Sequence, residues 1–577
     1  MKRTDFSVDW LFAACAPDTE LLPWNAQFTP VDLPHDWQIR HADDLYRDGT
    51  LFYRKYFFVT DVPGTRRMLW FGGAYMDTTV FVNGTEVGQW KYGYTSFWFD
   101  ITDALHEGQN EVLVRCNLRH PNSRWYSGAG LYRNVELWEA PDLHLMPDGL
   151  YVAAKEGDNG AWTVAVTAEA GSVTAASAGR TLTLHLTDDN GSLLGTASIP
   201  ADAWAALPSP DGWRTGKETA IYKASHTFTL QDPALWDLDA PSFYHITAEL
   251  TGADGVTDTL TTRFGCRTIE ATPDCGLLVN HKRVLIKGVC IHHDFGCLGS
   301  AFEYSAAKRQ LEILKSMGVN SIRTGHTPPA PQFMDLADEM GILMDVESFD
   351  CWRSGKNPYD YGRFFDEWQE KDVAAWIRRD RNHPSLLFWC IGNEIYDTHA
   401  GSEGADTMRM LLAEVAAHDP ARNGIPTLGS NYMPWENTQH CADIIKVAGY
   451  NYGERLYASH HEKHPDWVIY GSETSSIVQS RGIYHFPLSQ SLLSDDDLQC
   501  SSLGNSRTSW GAESWDICLQ SEQRWPFTLG QYLWTGWDYI GEPTPYHTRN
   551  SYFGTIDTAG FPKDAYYVVQ AAWLDPK

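Results

Sequence analysis

From about residue 271 the chain alternates short apolar runs with segments of helical period, and this rhythm limits its fold more than any other feature. Val284–Val289, Ser321–Arg323, Ile342–Val346, Leu386–Ile391, Pro426–Gly429, Ile444–Gly449, Val468–Gly471 and Gln531–Trp534 read as eight strands. Short runs of this kind, separated by helix-length segments, are the mark of parallel strands buried on both faces. Between the first two, Ser305 reads as the cap of a helix that buries Ala307, Leu311 and Leu314 and ends at Gly318. The next helix carries Phe333, Leu336, Ala337 and Met340 and stops at Gly341, and a last helical segment covers Ala565–Trp573. Eight parallel strands, each followed by a crossover, predict a (β/α)8 barrel over residues 271–577.

The sequence before the barrel has a two-residue period instead. In residues 1–140, Leu51–Val59 is a strand, and Val80-Phe81-Val82, Asn83-Gly84 and Thr85-Glu86-Val87 form a hairpin with its turn dipeptide in place. No stretch there is long and amphipathic enough for a helix, so a β-sandwich of jelly-roll type is expected. Residues 141–270 repeat the texture. Thr181–Thr187 alternates strictly, Asn190-Gly191 makes the next turn, and Tyr244–Leu250 is another strand, which suits a smaller immunoglobulin-like sandwich. The Gly/Ala/Ser-rich stretch near 169–179 reads as a mobile loop. The expected fold is therefore multidomain: two β-sandwiches followed by a TIM barrel.

Composition narrows the partners. The net charge of −29 disfavours a nucleic acid or an anionic membrane. Aromatic residues make up 13 % of the chain, including 24 Trp, enough for both cores and flat sugar-binding walls. The 11 Cys are scattered without a Cys-x-x-Cys pair, as expected of free thiols in a reducing compartment. The charged start Met1–Phe6 is not followed by an apolar run, and no apolar stretch approaches the ~20 residues of a membrane span. A cytoplasmic location is expected. The sequence leaves open whether copies associate into a homo-oligomer.

In a (β/α)8 barrel the chemistry sits where the strands end. The residues that follow the apolar runs are His292-His293-Asp294, Arg323-Thr324-Gly325-His326, Glu347-Ser348-Phe349-Asp350, Gly392-Asn393-Glu394, Tyr450-Asn451-Tyr452, Gly471-Ser472-Glu473 and Trp534–Asp538. Strands four and seven lie across the barrel from each other, so Glu394 and Glu473 can approach. Two carboxyls about 5–5.5 Å apart are the arrangement of a retaining glycosidase, one attacking the anomeric carbon and the other protonating the leaving oxygen. Their environments must differ so that one stays protonated. No Gly-x-Ser-x-Gly elbow, His-Glu-x-x-His pair or phosphate-binding loop competes. A metal cluster at His292-His293-Asp294 is disfavoured, because adjacent residues point to opposite sides of a strand end. No metal or cofactor is expected.

The residues also resemble a known family, glycoside hydrolase family 2 in its β-galactosidase branch, over nearly the whole chain. The stretches that carry the resemblance include Leu33–Trp37, Tyr53-Arg54-Lys55, Ser123–Arg133, Lys287-Gly288-Val289, His292-His293-Asp294, Asn382–Ser385, Gly392-Asn393-Glu394, Asp538–Pro545 and Phe561–Asp564. The resemblance implies a sugar-binding sandwich, an immunoglobulin-like domain and a catalytic barrel, in that order. It implies Glu394 as acid/base and Glu473 as nucleophile, with His326 and Asn393 on hydroxyls of the cleaved sugar. It further implies that Tyr452 orients the nucleophile and Trp534 forms the apolar wall. Arg124 should reach the mouth from the first domain, and Asp294 and Asp350 are weaker candidates for hydroxyl contacts.

The resemblance implies a β-linked galactoside or hexuronide, as an oligosaccharide or conjugate, for substrate. β-Glucuronidases carry an Asn-x-Lys motif after the last strand; here the region reads Asn550-Ser551-Tyr552, without Lys, which favours a neutral galactoside. Arg549 in the same loop could hold a carboxylate, so a β-D-galacturonidase or β-D-glucuronidase is the alternative. A non-catalytic carbohydrate-binding protein is the reading from another class.

Overall fold

A computed structural model describes residues 1–574 apart from 42, 61–63, 175–178, 208–212, 214, 253–254, 494–498, 508–511 and 546–547. The first unit pairs a four-stranded and a six-stranded antiparallel sheet. Its hairpin Thr78–Val82/Thr85–Trp90 turns at Asn83 (φ 49°) and Gly84 (φ 79°), the left-handed pair that a two-residue turn demands. Two four-stranded sheets follow, between His144 and Phe264, their inner faces closing over Trp162, Leu184, Ile246 and Phe264. The expected loop near 169–179 begins inside a strand, Ala161–Ser172; residues 175–178 lie outside those described.

Eight parallel strands then close a barrel in chain order. They are Ile286–Ile291, Ser321–Thr324, Leu343–Glu347, Leu386–Asn393, Ile425–Ser430, Val447–Asn451, Val468–Ser475 and Gly530–Trp534, hereafter barrel strands one to eight. The helix Tyr304–Ser316 buries Ala307, Leu311 and Leu314 as expected, and Gly318 follows at φ 98°. Gly341 ends the helix Pro331–Met340 at φ 64°, where a Cβ would lie 2.1 Å from the Leu238 carbonyl oxygen. Glycine is required there by both backbone conformation and space.

Three boundaries differ from the sequence reading. Val284 belongs to a small antiparallel sheet, Ile269–Thr272/Gly276–Val279/Lys282–Val284, that precedes the barrel. Ile444 and Ile445 end a helix, Glu436–Ile445, and left-handed Lys446 (φ 65°) turns the chain into strand six. Helix and strand are both apolar at that junction, so periodicity does not separate them. Ser305 lies inside its helix; extended Glu303 holds the cap position and makes no side-chain cap bond.

The first sandwich and the barrel share one hydrophobic core. Trp90 of the sandwich meets Trp368 of the barrel edge-on at 5.6 Å, and Tyr92 meets Tyr361 at 4.4 Å. No disulfide forms among the described residues, and no described helix is long and apolar enough to cross a membrane.

Candidate active site

Strands four and seven bring Glu394 and Glu473 to the same mouth. Glu394 takes a left-handed backbone (φ 46°) as strand four ends, and its N–H donates to the Gly429 carbonyl of strand five at 2.9 Å. Glu473 is still within strand seven and buried. A chain of hydrogen bonds links the two. Arg323 donates to Oε1 of Glu473 at 2.8 Å and to Oδ1 of Asn393 at 3.0 Å. Asn451 donates to the same Asn393 oxygen at 3.1 Å and to Oε1 of Glu394 at 3.0 Å.

Glu473 accepts a second hydrogen bond at Oε2, from the Tyr452 hydroxyl at 2.8 Å. Burial pushes its carboxyl up to about 7; Arg323 pulls it back, the charge of Glu394 pushes it further, and Tyr452 also favours the ionised form. Arg323 is fully buried and meets two more acids, Glu347 in a close ion pair and Asp345 at 3.7 Å. Burial raises both of those as well, Asp345 to about 6, against the opposing guanidinium. Three acids thus share one cation at the bottom of the mouth.

His326 sets its Nδ1 2.6 Å from Oε2 of Glu347 and its Nε2 3.7 Å from Oε1 of Glu473. Burial first, and Arg323 next, hold its pKa well below the ordinary imidazole value. Its ring lies parallel to Trp534, at 5.2 Å and 3°. Trp534 ends strand eight, is 5 % exposed and is also met edge-on by His292 and Tyr539.

Arg124 does reach the barrel from the first sandwich. Its Nη2 lies 2.8 Å from Oδ1 of Asp350 and its Nε 3.2 Å from Oδ2, a two-pronged contact. Its Nη1 is 3.8 Å from Glu394 and 3.6 Å from Glu542. Asp350 also accepts from Lys356 at 2.8 Å and from Asn393 Nδ2 at 3.0 Å. Burial works against its charge, but Arg124 and Lys356 win and hold the carboxyl down to about 2. Asp350 therefore braces Asn393 and Arg124.

Asp294 serves the neighbouring loop backbone. It accepts from the N–H of Gly296 at 3.1 Å and of Ile540 at 3.3 Å, so it ties the loops after strands one and eight together. Its burial pushes the carboxyl up to about 7. Arg549 is exposed on the loop beyond, its carbonyl accepting from Gly541 at 3.1 Å. Of the rejected metal cluster, His293 turns to the Ser127 carbonyl at 3.0 Å, and His292 packs among Trp125, Trp534 and Tyr539.

The sequence reading assigned no role to Arg323, Glu347, Asn451 or Lys356. Arg323 had a signal: a charged residue inside a four-residue strand that is buried throughout. Asn451 directly precedes Tyr452, and Glu347 ends strand three. Lys356 lies in a loop with no pattern to mark it.

Comparison with known proteins agrees with this architecture. Residues 271–461 match the family Glycosyl hydrolases family 2, TIM barrel domain, and residues 148–267 match Glycosyl hydrolases family 2. A β-galactosidase of Bacteroides ovatus is 34 % identical over 100 % of this chain and 72 % of its own length. A putative β-glucuronidase of Formosa agariphila is 29 % identical over 99 % of this chain and 56 % of its own length. The crystal structure of a β-glycosidase from Bacteroides vulgatus superposes with a TM-score of 0.85 at 27 % identity, over 100 % of this chain and 75 % of that one. The sandwiches, the barrel and the identity with the Bacteroides ovatus enzyme converge: the chain belongs to glycoside hydrolase family 2 and is a glycosidase.

Proposed function

We propose that the protein is a retaining, exo-acting β-galactosidase working by double displacement. The observation that carries the reading is the linked pair Glu394 and Glu473, whose surroundings differ. Glu473 accepts from Arg323 and Tyr452, both donors that favour a carboxylate, and so suits the nucleophile. Glu394 stands at the mouth beside Asn451 and Arg124 and suits the acid/base. In the first step Glu473 attacks the anomeric carbon while Glu394 protonates the departing oxygen. In the second, Glu394 takes a proton from water as the water oxygen attacks the anomeric carbon and displaces the Glu473 carboxylate, which releases the sugar with its configuration retained. Asn393, fixed by three hydrogen bonds, has an amide proton to spare for a sugar hydroxyl. Trp534 offers its face to the C–H side of the ring.

The charge of the mouth favours a neutral sugar. Arg124 and Lys356 both answer Asp350, and Arg124 faces Glu394 and Glu542 besides. Among these described residues two cations meet three acids, so a sugar carboxylate would add repulsion. The Bacteroides ovatus β-galactosidase points the same way. A hexuronide is the second reading, and the exposed Arg549 is the cation it would call on. The test is a panel of aryl β-D-galactoside, β-D-glucoside, β-D-glucuronide and β-D-galacturonide. Preference for galactoside, lost in Glu473→Ala, supports the proposal. Preference for either hexuronide replaces the sugar, and activity surviving Glu473→Ala removes the mechanism.

A further inference from the structure

An aromatic cluster stands on the rim beside Glu394 and takes no part in the pair described above. Tyr396 follows the acid/base by two residues and is 39 % exposed; Trp435, on the loop after strand five, is 53 % exposed. Among the described tryptophans only Trp24 and Trp435 are exposed, so this ring is left in water where nearly all others are covered. His399 and Tyr432 join the two. His399 lies 4.2 Å from Tyr432 and 4.8 Å from Trp435, and Tyr396 lies 5.9 Å from His399. Asn437 donates to the His399 carbonyl at 3.2 Å and so ties the helix Glu436–Ile445 to the short helix Asp397–Ala400. The Lys356 ammonium, which holds Asp350, lies 5.8 Å from the Tyr396 ring.

The position of the cluster selects its ligand. Trp534, the wall for the cleaved sugar, ends strand eight, whereas these rings rise from the loops after strands four and five. The group that donates a proton to the leaving oxygen must face that oxygen, so the leaving group lies on the side of Glu394. Tyr432 is near enough to Glu394 for the glutamate charge to help raise its phenol to about 12, after burial. We infer that Tyr396, Tyr432 and Trp435 form a leaving-group subsite that stacks on a ring, either a pyranose through its C–H face or an aryl group through its π face. The inference rests on the β-glycosidase reading and on Glu394 as its acid/base.

The test compares kcat/KM for three glycosides of the sugar the enzyme cleaves best: a β-linked disaccharide, a phenyl glycoside and the methyl glycoside, which has no leaving-group ring. In Trp435→Ala the ratio of ring-bearing to methyl substrate should fall about tenfold, the size of one good aromatic contact. Trp435→Phe should recover most of it, and Tyr396→Ala should move the ratio in the same direction. A fall for the disaccharide alone assigns the subsite to a sugar, and a fall for the phenyl glycoside alone to an aryl group. A ratio within about twofold of the parent in both alanine variants, with turnover intact, overturns the subsite. A parent enzyme that turns over no glycoside overturns the glycosidase reading and the subsite with it.

Discussion

Tyr452 and Glu473 are joined twice: the tyrosine hydroxyl donates to Oε2 of the glutamate at 2.8 Å, and the tyrosine N–H donates to the glutamate's own carbonyl at 2.7 Å. The backbone bond fixes the distance between strands six and seven, and the hydroxyl uses that distance to hold the carboxylate. Tyr452 takes a left-handed conformation (φ 55°) to do so.

Tyr452→Phe should therefore shift the pH profile while leaving the backbone bond in place. In the proposed mechanism the ionised form of Glu473 attacks, so kcat/KM should fall as the pH drops through its pKa, about 7. Removing a donor to the carboxylate raises that pKa, and the acid limb should move to higher pH. An unchanged limb in a pH series of kcat/KM would show that the hydroxyl does not tune Glu473.

Glu394→Ala should separate substrates by leaving group. Poor leaving groups need protonation and should lose about 10²–10⁴ in the glycosylation step, the usual worth of a general acid. Aryl groups that leave as stable phenolates should lose far less in that step. Burst and steady-state kinetics on a series of aryl glycosides would measure it, and equal losses across the series would contradict the role.

Arg124→Lys should fail to rescue Arg124→Ala. The contact with Asp350 uses Nε and Nη2 together, a geometry that an ammonium cannot copy. Loss of one such charge-assisted contact is worth about 1.5–3 kcal/mol, so both variants should drop kcat/KM by about tenfold or more. Recovery of activity in the lysine variant would mean that charge alone matters at this position.

Gly341→Ala should lower the first thermal unfolding transition. The substitution places a methyl against the Leu238 carbonyl at a positive φ, and strain of both kinds should cost more than about 1 kcal/mol. An unshifted transition would show that the Leu238 segment yields without cost.

Much of the barrel was legible because its strands are buried on both faces, so each appears as an unbroken apolar run between turn signals. Gly318 and Gly341 marked helix ends for a steric reason and stand where expected. Legibility failed where two adjoining elements are both apolar, as at Ile444–Val447, and where a short hairpin leads into a strand, as at Val284. In the site, residues at strand ends could be found from the rhythm alone. Arg323 and Lys356 were not singled out, because the network they serve joins segments far apart in sequence: Arg323 bonds to Glu473, 150 residues away. Asp294 shows the converse, a polar residue at a strand end whose oxygens serve loop backbone.

The shared core of Trp90 and Trp368, together with the reach of Arg124, has a consequence for dissection of the enzyme. A barrel expressed alone would bare an aromatic face to water and surrender one of the cations beside Glu394. Exchanging the amino-terminal module between relatives would accordingly alter the charges around Glu394 as much as the architecture.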